Sequence, residues 1–256
     1  MAADLRTSTP RSDDRGLSVM LHPRDETRLV QAFFQSQRGY FVDVGANDPT
    51  DWSQTFHLEQ LGWDGVLVEP QPDLAETLRR SRKAIVYAVA CSSPENSGRS
   101  MPLKLAGAYS TLNPALRVAH ADVAGSIDVP IKTLDEVLTE ARAPSPIDFL
   151  SIDVEGHERE VLRGFDFARW RPRLVLIEDH VLDRRLHNDL VARGYTWIRR
   201  TGLNSWYVPA PSGPRIGPYG HWQFVRKYYL GVPIRRVREV WRRFRHRIDA
   251  GVAVHA

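Results

Sequence analysis

Short apolar runs alternate with amphipathic stretches along most of the chain. Seven runs have the length of β-strands, and the first five are almost continuously apolar, as in parallel strands that are buried on both faces. The predicted strands cover residues 40–44, 65–69, 84–90, 147–153, 173–179, 195–200 and 205–210. Helical spacing fills the gaps at residues 51–61, 72–81, 133–141, 157–163 and 183–193. This alternation predicts an α/β fold with a parallel, doubly wound sheet.

Two segments depart from the strand–helix alternation. Only "TGLN" separates the last two predicted strands, and its turn residues Gly202 and Asn204 favour a closing antiparallel hairpin. Residues 92–132 do not follow the strand–helix alternation, and we expect them to form an insertion over the edge of the sheet. No internal repeat is visible.

The two ends of the chain differ from the part between them. Residues 1–22 are polar without apolar periodicity, which predicts a disordered segment before a domain that spans residues 23–211. Residues 212–256 form a basic tail. Its predicted amphipathic helix carries an apolar stripe between arginines, made of Ile234, Val237, Trp241, Phe244 and Ile248. Such a helix binds an anionic membrane surface, docks on the body or on a dimer partner, or contacts nucleic acid, and the sequence leaves all three open.

Charge is distributed unevenly, although the net formal charge is only +4. The chain from Gly213 onward has 10 basic and 2 acidic residues, which leaves 25 basic and 29 acidic residues in the rest.

A single cysteine, Cys91, excludes an intramolecular disulfide and is compatible with a reducing compartment. No signal-peptide core or transmembrane-length apolar run is present. We therefore expect a cytoplasmic protein, with the tail as a possible contact to the inner face of the membrane.

The segment after the first predicted strand, "DVGAND", contains the first candidate ligand-binding residues. In open α/β sheets, ligands bind beyond the carboxyl ends of the strands, where Gly45 permits a tight turn and Asp43 and Asn47 offer polar groups. The G-x-G-x-x-G pattern of dinucleotide-binding folds is absent. Glu69 ends the second strand, and an acid in this place commonly accepts hydrogen bonds from both ribose hydroxyls. The pattern predicts a nucleoside site without a phosphate-binding loop, which points to S-adenosylmethionine.

Five motifs occur in order over residues 38–210: "FVDVGAND", "GWDGVLVEPQP", "YSTL", "IDFLSIDVEGHEREVLRGFDF" and "PRLVLIED". In these motifs the chain resembles the FkbM family of S-adenosylmethionine-dependent methyltransferases. The resemblance implies a class I methyltransferase, Rossmann-like fold with a doubly wound seven-stranded sheet that ends in an antiparallel hairpin. It also implies O-methylation of sugar or polyketide-type hydroxyls.

The same resemblance implies which residues bind the cofactor. Asp43, Gly45 and Asn47 are expected to contact the methionine portion, and Glu69 the ribose. The segment at residues 88–92, which includes Ala90 and Cys91, is expected to contact the adenine. By the same resemblance, the pocket is lined by Ser110 and Thr111.

A cluster of acids follows the fourth predicted strand, where the transferred methyl group is expected. Asp153 ends this strand and is a candidate for both catalysis and cofactor binding, with His157 as a candidate base. Glu158 is a third catalytic candidate, but like Glu155 it also suits the first turn of a helix, where acids complement the helix dipole. Glu160 is a further acid of this segment that is equally typical of a solvated helix face.

The fifth predicted strand ends in "IEDH", at the neighbouring point of the sheet edge. Related macrocin-type sugar O-methyltransferases are similar here and bind a divalent ion with an acid after strand four and an acidic pair after strand five. The matching residues imply a Mg²⁺ site formed by Asp153, Glu178 and Asp179, although that group has Asp at the position of Glu178.

Three classes of function remain open from the sequence. The leading hypothesis is an O-methyltransferase acting on a hydroxyl of a sugar or glycan, including lipid-linked glycans. A nucleic-acid methyltransferase is disfavoured because basic charge is confined to the tail. The third is a non-catalytic, cofactor-binding scaffold. The sequence does not fix the oligomeric state.

Overall fold

A computed structural model of the protein describes residues 23–35, 38–114, 124–210 and 216–235, together with Val237 and Trp241. The predicted disordered segment 1–22 lies outside the described residues, as does most of the predicted basic helix after Arg235. Both stay predictions.

Ten strands form in the described residues, and seven of them build the main sheet. The strands are β1 (Tyr40–Val44), β2 (Asp64–Val68), β3 (Ile85–Tyr87), β4 (Ala90–Cys91), β5 (Ser100–Leu105), β6 (Gly125–Lys132), β7 (Phe149–Ile152), β8 (Leu174–Glu178), β9 (Tyr195–Thr201) and β10 (Asn204–Pro209). The main sheet has the order β3-β2-β1-β7-β8-β10-β9. Its first five strands are parallel, and β10 lies antiparallel between β8 and β9. The predicted doubly wound sheet and its closing antiparallel hairpin are thus confirmed.

Helices connect the strands on both faces of the sheet. They are α1 (Pro23–Phe34), α2 (Phe56–Gln60), α3 (Pro72–Ser81), α4 (Leu134–Glu140), α5 (Glu158–Arg163), α6 (Phe167–Trp170), α7 (Arg185–Ala192) and α8 (Pro218–Phe224). A π-helical turn, Val225–Leu230, continues α8, and helical backbone extends to Arg235. Among the described residues, no helix has the length and apolar character needed to cross a membrane.

The segment that interrupts the strand–helix alternation builds a second, smaller sheet. Its three strands have the order β4-β6-β5. The predicted strand at residues 84–90 is split by this arrangement, because β3 stays in the main sheet whereas Ala90 pairs with Ile131 in the small one. The small sheet therefore stands beside the edge at which β3 ends.

The core lies on both faces of the main sheet because neighbouring side chains of a strand point to opposite faces. Val42, Leu150 and Val175 contribute to one apolar cluster, whereas Phe41 and Phe149 contribute to the other. In the register of the central strands, Val44 pairs with Val68 on one side and with Ile152 on the other. Three strands therefore end side by side, and the residues that follow them meet at one rim of the sheet.

Candidate active site

A pocket opens at this rim, beyond the carboxyl ends of β1, β2 and β7. Its other wall comes from the small sheet and the loop after β5. Most of the predicted cofactor-binding and catalytic residues line it together: Gly45, Asn47, Glu69, Ala90, Cys91, Asp153 and His157. Residues that lie far apart in the chain are thus neighbours in one cavity.

The loop after β1 holds the floor of the pocket close to β7. Gly45 has a positive φ of 89°, and a Cβ atom there would lie 1.8 Å from the carbonyl oxygen of Asp153. Only glycine fits this close approach. The amides of Gly45 and Ala46 both donate to the carbonyl of Val68, at 2.9 and 3.1 Å. The loop is therefore fixed to β2 and β7 at once.

Glu69 stands at the end of β2 with both carboxylate oxygens already engaged by backbone. Oε2 accepts a hydrogen bond from the Asn47 amide and Oε1 from the Gln71 amide, each at 2.9 Å. Burial raises the pKa of Glu69, while these two donors act to lower it. Each oxygen keeps a free lone pair, so the fixed carboxylate can accept two further hydrogen bonds from a ligand.

Asp43, the remaining predicted cofactor residue, is buried away from the pocket. Its Oδ2 accepts a hydrogen bond from the Thr55 hydroxyl at 2.7 Å, and Thr55 in turn accepts one from the Arg82 guanidinium at 3.1 Å. Burial raises the pKa of Asp43. The structure therefore places this carboxyl in a buried network between β1, α2 and the end of α3, rather than among the groups that line the pocket.

Ala90 and Cys91 of β4 form an apolar wall opposite the strand ends. Burial raises the pKa of the Cys91 thiol to about 12, so this side chain is neutral at physiological pH. Ser110 also lines the pocket. Thr111 does not line it but donates a hydrogen bond from its hydroxyl to the carbonyl of Glu155 at 2.7 Å. This bond joins the loop of the small sheet to the loop after β7.

Carboxyl groups crowd the rim around the end of β7. Asp153 is exposed and lines the pocket. Desolvation by the pocket wall and the negative charge of Asp43 raise the pKa of Asp153 to about 6. Burial and the charge of Asp153 raise the pKa of Glu155 to about 7. Glu155 lies in the loop before the helix with a positive φ of 51°, and not in a first helical turn, which was one of the roles that the sequence left open for it.

Glu178, at the end of β8, completes the crowded cluster. Burial and the neighbouring charges of Asp153 and Glu155 raise its pKa far above the usual range. Its buried Oε2 has no hydrogen-bond partner among the described residues. The His180 Nε2 lies 3.5 Å from this oxygen. Ligand atoms of Glu155, Glu178 and His180 all lie within 4.8 Å of one another.

Asp179 faces away from this group. Its Oδ1 accepts a hydrogen bond from the Val181 amide at 2.7 Å, and its Oδ2 accepts one from the Tyr228 hydroxyl at 2.6 Å. The predicted metal set of Asp153, Glu178 and Asp179 is therefore not the set that the structure brings together. Adjacent strand residues point to opposite sides, which separates Asp179 from Glu178.

His157 lines the pocket just before α5, and its ring is held by Ser92, which the sequence placed in the segment expected to contact the adenine. The Ser92 Oγ lies 2.9 Å from Nε2, and the Asn96 side-chain amide donates to the same Oγ at 3.0 Å. The Ser92 hydroxyl is thus free to donate its own proton to Nε2. Burial lowers the pKa of His157, which favours the neutral ring.

Glu158, the third predicted catalytic residue, lies behind the pocket. Its Oε1 accepts a hydrogen bond from the Gly156 amide at 2.8 Å, so this buried side chain holds the turn after Asp153. Burial raises the pKa of Glu158 to about 7. Glu160 pairs with Arg163 on the helix surface, with 2.9 Å between Oε2 and Nη1. Neither carboxyl lines the pocket.

Comparisons with known proteins identify the family of the chain. The family described as "Methyltransferase FkbM domain" matches residues 43–196. The hexuronic acid methyltransferase AglP of Haloferax volcanii is 28% identical over 119 residues, which are 44% of this chain and 45% of that protein. The chain thus aligns with less than half the length of this curated relative.

Two solved structures are similar at 11% sequence identity. An O-methyltransferase from Bacillus cereus in complex with SAH has a TM-score of 0.38, with 73% of this chain and 80% of that chain covered. The precorrin-6y C5,15-methyltransferase of Geobacter metallireducens has a TM-score of 0.40, with 75% and 90% covered.

Proposed function

The chain belongs to the FkbM methyltransferase family, and from this premise we propose that it transfers a methyl group to a hydroxyl of a sugar or glycan. As a member of that family it is an S-adenosylmethionine-dependent methyltransferase. The observation that carries the finer proposal is Asp153, an acid that faces the pocket and has a pKa of about 6. Such a group is ionised at neutral pH and can accept the proton of a hydroxyl.

The proposed cofactor site extends along the whole length of the pocket. Glu69 binds the ribose hydroxyls, because its fixed carboxylate accepts from two donors at once. Gly45 and Asn47 contact the methionine portion, and the apolar wall of Ala90 and Cys91 contacts the adenine. In this arrangement Asp153 stands at the reacting end. Asp43 supports the first strand from behind.

The bound cofactor supplies a methyl group on a sulfonium, which is a good leaving group for in-line displacement. The chain itself orients the acceptor oxygen and removes its proton. Asp153 is the proposed proton acceptor. His157 is proposed to support it from the pocket wall, because its Nε2 is already engaged by Ser92. Glu158 acts through the turn at Gly156 and is proposed as a positioning residue.

A sugar acceptor is supported by the chemistry of the rim and by the relative. Carboxylates accept hydrogen bonds from the several hydroxyls of a sugar, and AglP is a hexuronic acid methyltransferase. The crowded acids of this chain repel an anionic acceptor, so we propose an uncharged sugar as the acceptor, in contrast to the hexuronic acid in the name of AglP. Lipid-linked glycans are included among the acceptors, and we propose a cytoplasmic site of action, with which the single free thiol, Cys91, is compatible.

The proposal is tested by mass spectrometry of native glycolipids and polysaccharides from cells with and without the gene. We expect one glycan to lose a single methyl group in the deletion strain. Complementation with the wild-type gene should restore it, and complementation with Asp153→Asn should not. A glycome without any difference, together with cofactor-dependent methylation of RNA by the pure protein, would replace the proposal with the nucleic-acid alternative. Cofactor binding without any turnover would favour the scaffold.

A divalent cation site is the second part of the proposal. The buried, unpartnered Oε2 of Glu178 and the nearby Glu155 and His180 form a ligand set that fits a cation. Two carboxylates and one imidazole suit Mn²⁺ or a similar transition ion better than Mg²⁺, which prefers oxygen ligands. When bound, such an ion would lower the pKa of an acceptor hydroxyl. The proposed ligands thus keep Glu178 of the predicted magnesium set and replace Asp153 and Asp179 with Glu155 and His180.

Metal binding is testable without activity. Calorimetric titration of the metal-free protein with Mn²⁺ should show one site, weakened at least about tenfold by Glu178→Gln and by His180→Ala. Glu160→Gln, which removes a nearby surface carboxylate, is the matched control and should bind as the wild type does. A heat signal that Glu178→Gln leaves unchanged would contradict the proposed ligands, as would the absence of binding for Mn²⁺, Zn²⁺ and Mg²⁺.

A further inference from the structure

Exposed apolar side chains are concentrated on the C-terminal helix, by which we mean α8, the π-helical turn Val225–Leu230 and the described helical residues that follow it, up to Trp241. Of fifteen large hydrophobic side chains that are exposed in the described residues, eight lie between Tyr219 and Trp241. We define the exposed face of this helix by six of them: Trp222, Val225, Tyr229, Leu230, Ile234 and Trp241. A cluster of exposed apolar side chains on one face of a helix marks a binding site for another apolar surface.

The opposite side of the same helix is docked on the body of the protein. Tyr228 is 1% exposed, and its hydroxyl donates to Asp179 Oδ2 at 2.6 Å. Arg235 donates from Nε to the carbonyl of Val181 at 2.8 Å. Gly220 lies so close to β9 that a Cβ atom would stand 2.6 Å from the carbonyl oxygen of Ile198. Docking therefore fixes which side of the helix points outward.

Positive charge accompanies the exposed face. The Arg226 guanidinium lies over the Trp222 ring at 4.6 Å, and that of Arg184 over the Tyr229 ring at 4.7 Å. From Gly213 to the end, the sequence has 10 basic residues and 2 acidic ones. Arginine beside tryptophan and tyrosine matches the boundary between anionic headgroups and acyl chains. A second copy of this chain would bring the same positive charge against itself, which disfavours a dimer through this face.

We propose that the exposed face binds an anionic lipid surface. The helix contacts Asp179 and Val181, which follow β8, and β8 also carries Glu178 at the rim of the pocket. A membrane on this face would therefore be bound by a helix that docks on the residues immediately after Glu178. The lipid contact does not depend on the proposed reaction, but its use to reach a lipid-linked acceptor rests on the proposed function.

The test measures co-sedimentation of the full chain with vesicles. One set contains phosphatidylcholine alone, and the other contains phosphatidylcholine mixed with phosphatidylglycerol. We expect binding to the anionic set that weakens as salt is added, because salt screens the arginines. The double variant Trp222→Ser, Leu230→Ser should reduce the partition coefficient at least about tenfold, since it removes two apolar side chains from the contact. Trp52→Ser, Leu61→Ser is the matched control, because it removes an exposed tryptophan and leucine elsewhere and should bind as the wild type does.

Several outcomes would overturn the proposal. These are equal binding to both vesicle sets, no binding to either, or a double variant that binds as well as the control. Analytical ultracentrifugation adds a further check, because a dimer that the double variant abolishes would identify the face as a protein interface. Circular dichroism of both variants confirms that they are folded. Since no methyl transfer is measured, failure here leaves the proposed reaction untouched.

Discussion

Two acids that close parallel strands of the same sheet have opposite surroundings. Glu69, after β2, receives one backbone N–H on each oxygen, both at 2.9 Å. Glu178, at the end of β8, has a buried oxygen without a donor and the carboxyls of Asp153 and Glu155 as neighbours. Both side chains are buried, at 3% and 4% exposure, so burial alone does not distinguish them.

The different surroundings of Glu69 and Glu178 suit the two acids to different roles at the same rim of the sheet. A carboxylate that the backbone already holds is preorganised to accept neutral hydroxyl donors, and its position does not depend on the ligand. A carboxylate with a buried oxygen that lacks a donor, surrounded by other acids, is favourable only when it holds a proton or a cation. The end of β2 is therefore suited to binding, whereas the rim between β7 and β8 is suited to proton or metal chemistry.

Asp153→Asn should have the largest effect, because it removes the proposed proton acceptor and keeps the shape of the side chain. We expect kcat to fall roughly 10²–10⁴-fold, as is typical when a general base is lost. The dissociation constant of S-adenosylhomocysteine should change much less. Steady-state kinetics with saturating cofactor and calorimetry on the same preparation measure the two quantities. Glu160→Gln is the control and should retain the wild-type rate. Unchanged turnover in Asp153→Asn would exclude this residue as the base.

Glu69→Gln should weaken cofactor binding and leave kcat little changed, which is the reverse of the effect expected for Asp153→Asn. The amide loses the charge that strengthens its hydrogen bonds, and its NH2 group faces a backbone donor. We expect S-adenosylhomocysteine to bind roughly 10–100-fold more weakly, with kcat at saturating cofactor little changed. Calorimetric titration gives the affinity. Glu76→Gln on the exposed side of α3 is the matched control. Equal affinity in Glu69→Gln and in the control would contradict the assignment of Glu69 to the ribose hydroxyls.

His157→Ala should have a smaller effect than Asp153→Asn, about tenfold on kcat, because its Nε2 is engaged by Ser92. If the ring acts by supporting the pocket wall, Ser92→Ala should show a similar loss and the same pH dependence. A loss as large as that of Asp153→Asn, with Ser92→Ala unaffected, would instead make His157 the base.

The sequence was sufficient for the features that depend on local pattern. Buried parallel strands appear as continuous apolar runs, so β1, β2, β7 and β8 were predicted close to their observed positions. The ends of these strands then indicated Gly45, Glu69 and Asp153, and the structure brings all three to one pocket.

Features that depend on distant partners or on side-chain direction were not predictable. Asp43 was expected in the pocket, but Thr55 and Arg82 hold its carboxyl in a buried network whose members lie far apart in sequence. Asp179 was expected beside Glu178, but it accepts a hydrogen bond from Tyr228 of the C-terminal helix. Spacing shows that two acids are adjacent, whereas the direction of each is set by the donors that the fold supplies.

The smallest predicted effect is on stability, and it tests the cluster without substrate. In the presence of a chelator, Glu178→Gln should raise the free energy of unfolding at pH 8 by roughly 1 kcal/mol or more, because it removes a buried carboxyl from among like charges. Burial raises the folded-state pKa of Glu178, so the folded protein binds more protons than the unfolded chain, and stability falls as pH rises above the unfolded value of 4.5. The gain should therefore vanish below about pH 4.5.

Denaturant unfolding at both pH values measures this gain, with Glu69→Gln as the counterpart. That substitution removes an acid whose oxygens both have backbone donors, so it should destabilise the protein at pH 8. Changes of opposite sign in the free energy of unfolding for the two substitutions would show that the backbone donors determine whether each acid stabilises the fold. If Glu178→Gln also destabilises the metal-free protein at pH 8, the Glu178 carboxyl has stabilising partners in the folded protein. The acids between β7 and β8 would then cost no more stability than the acid at the end of β2.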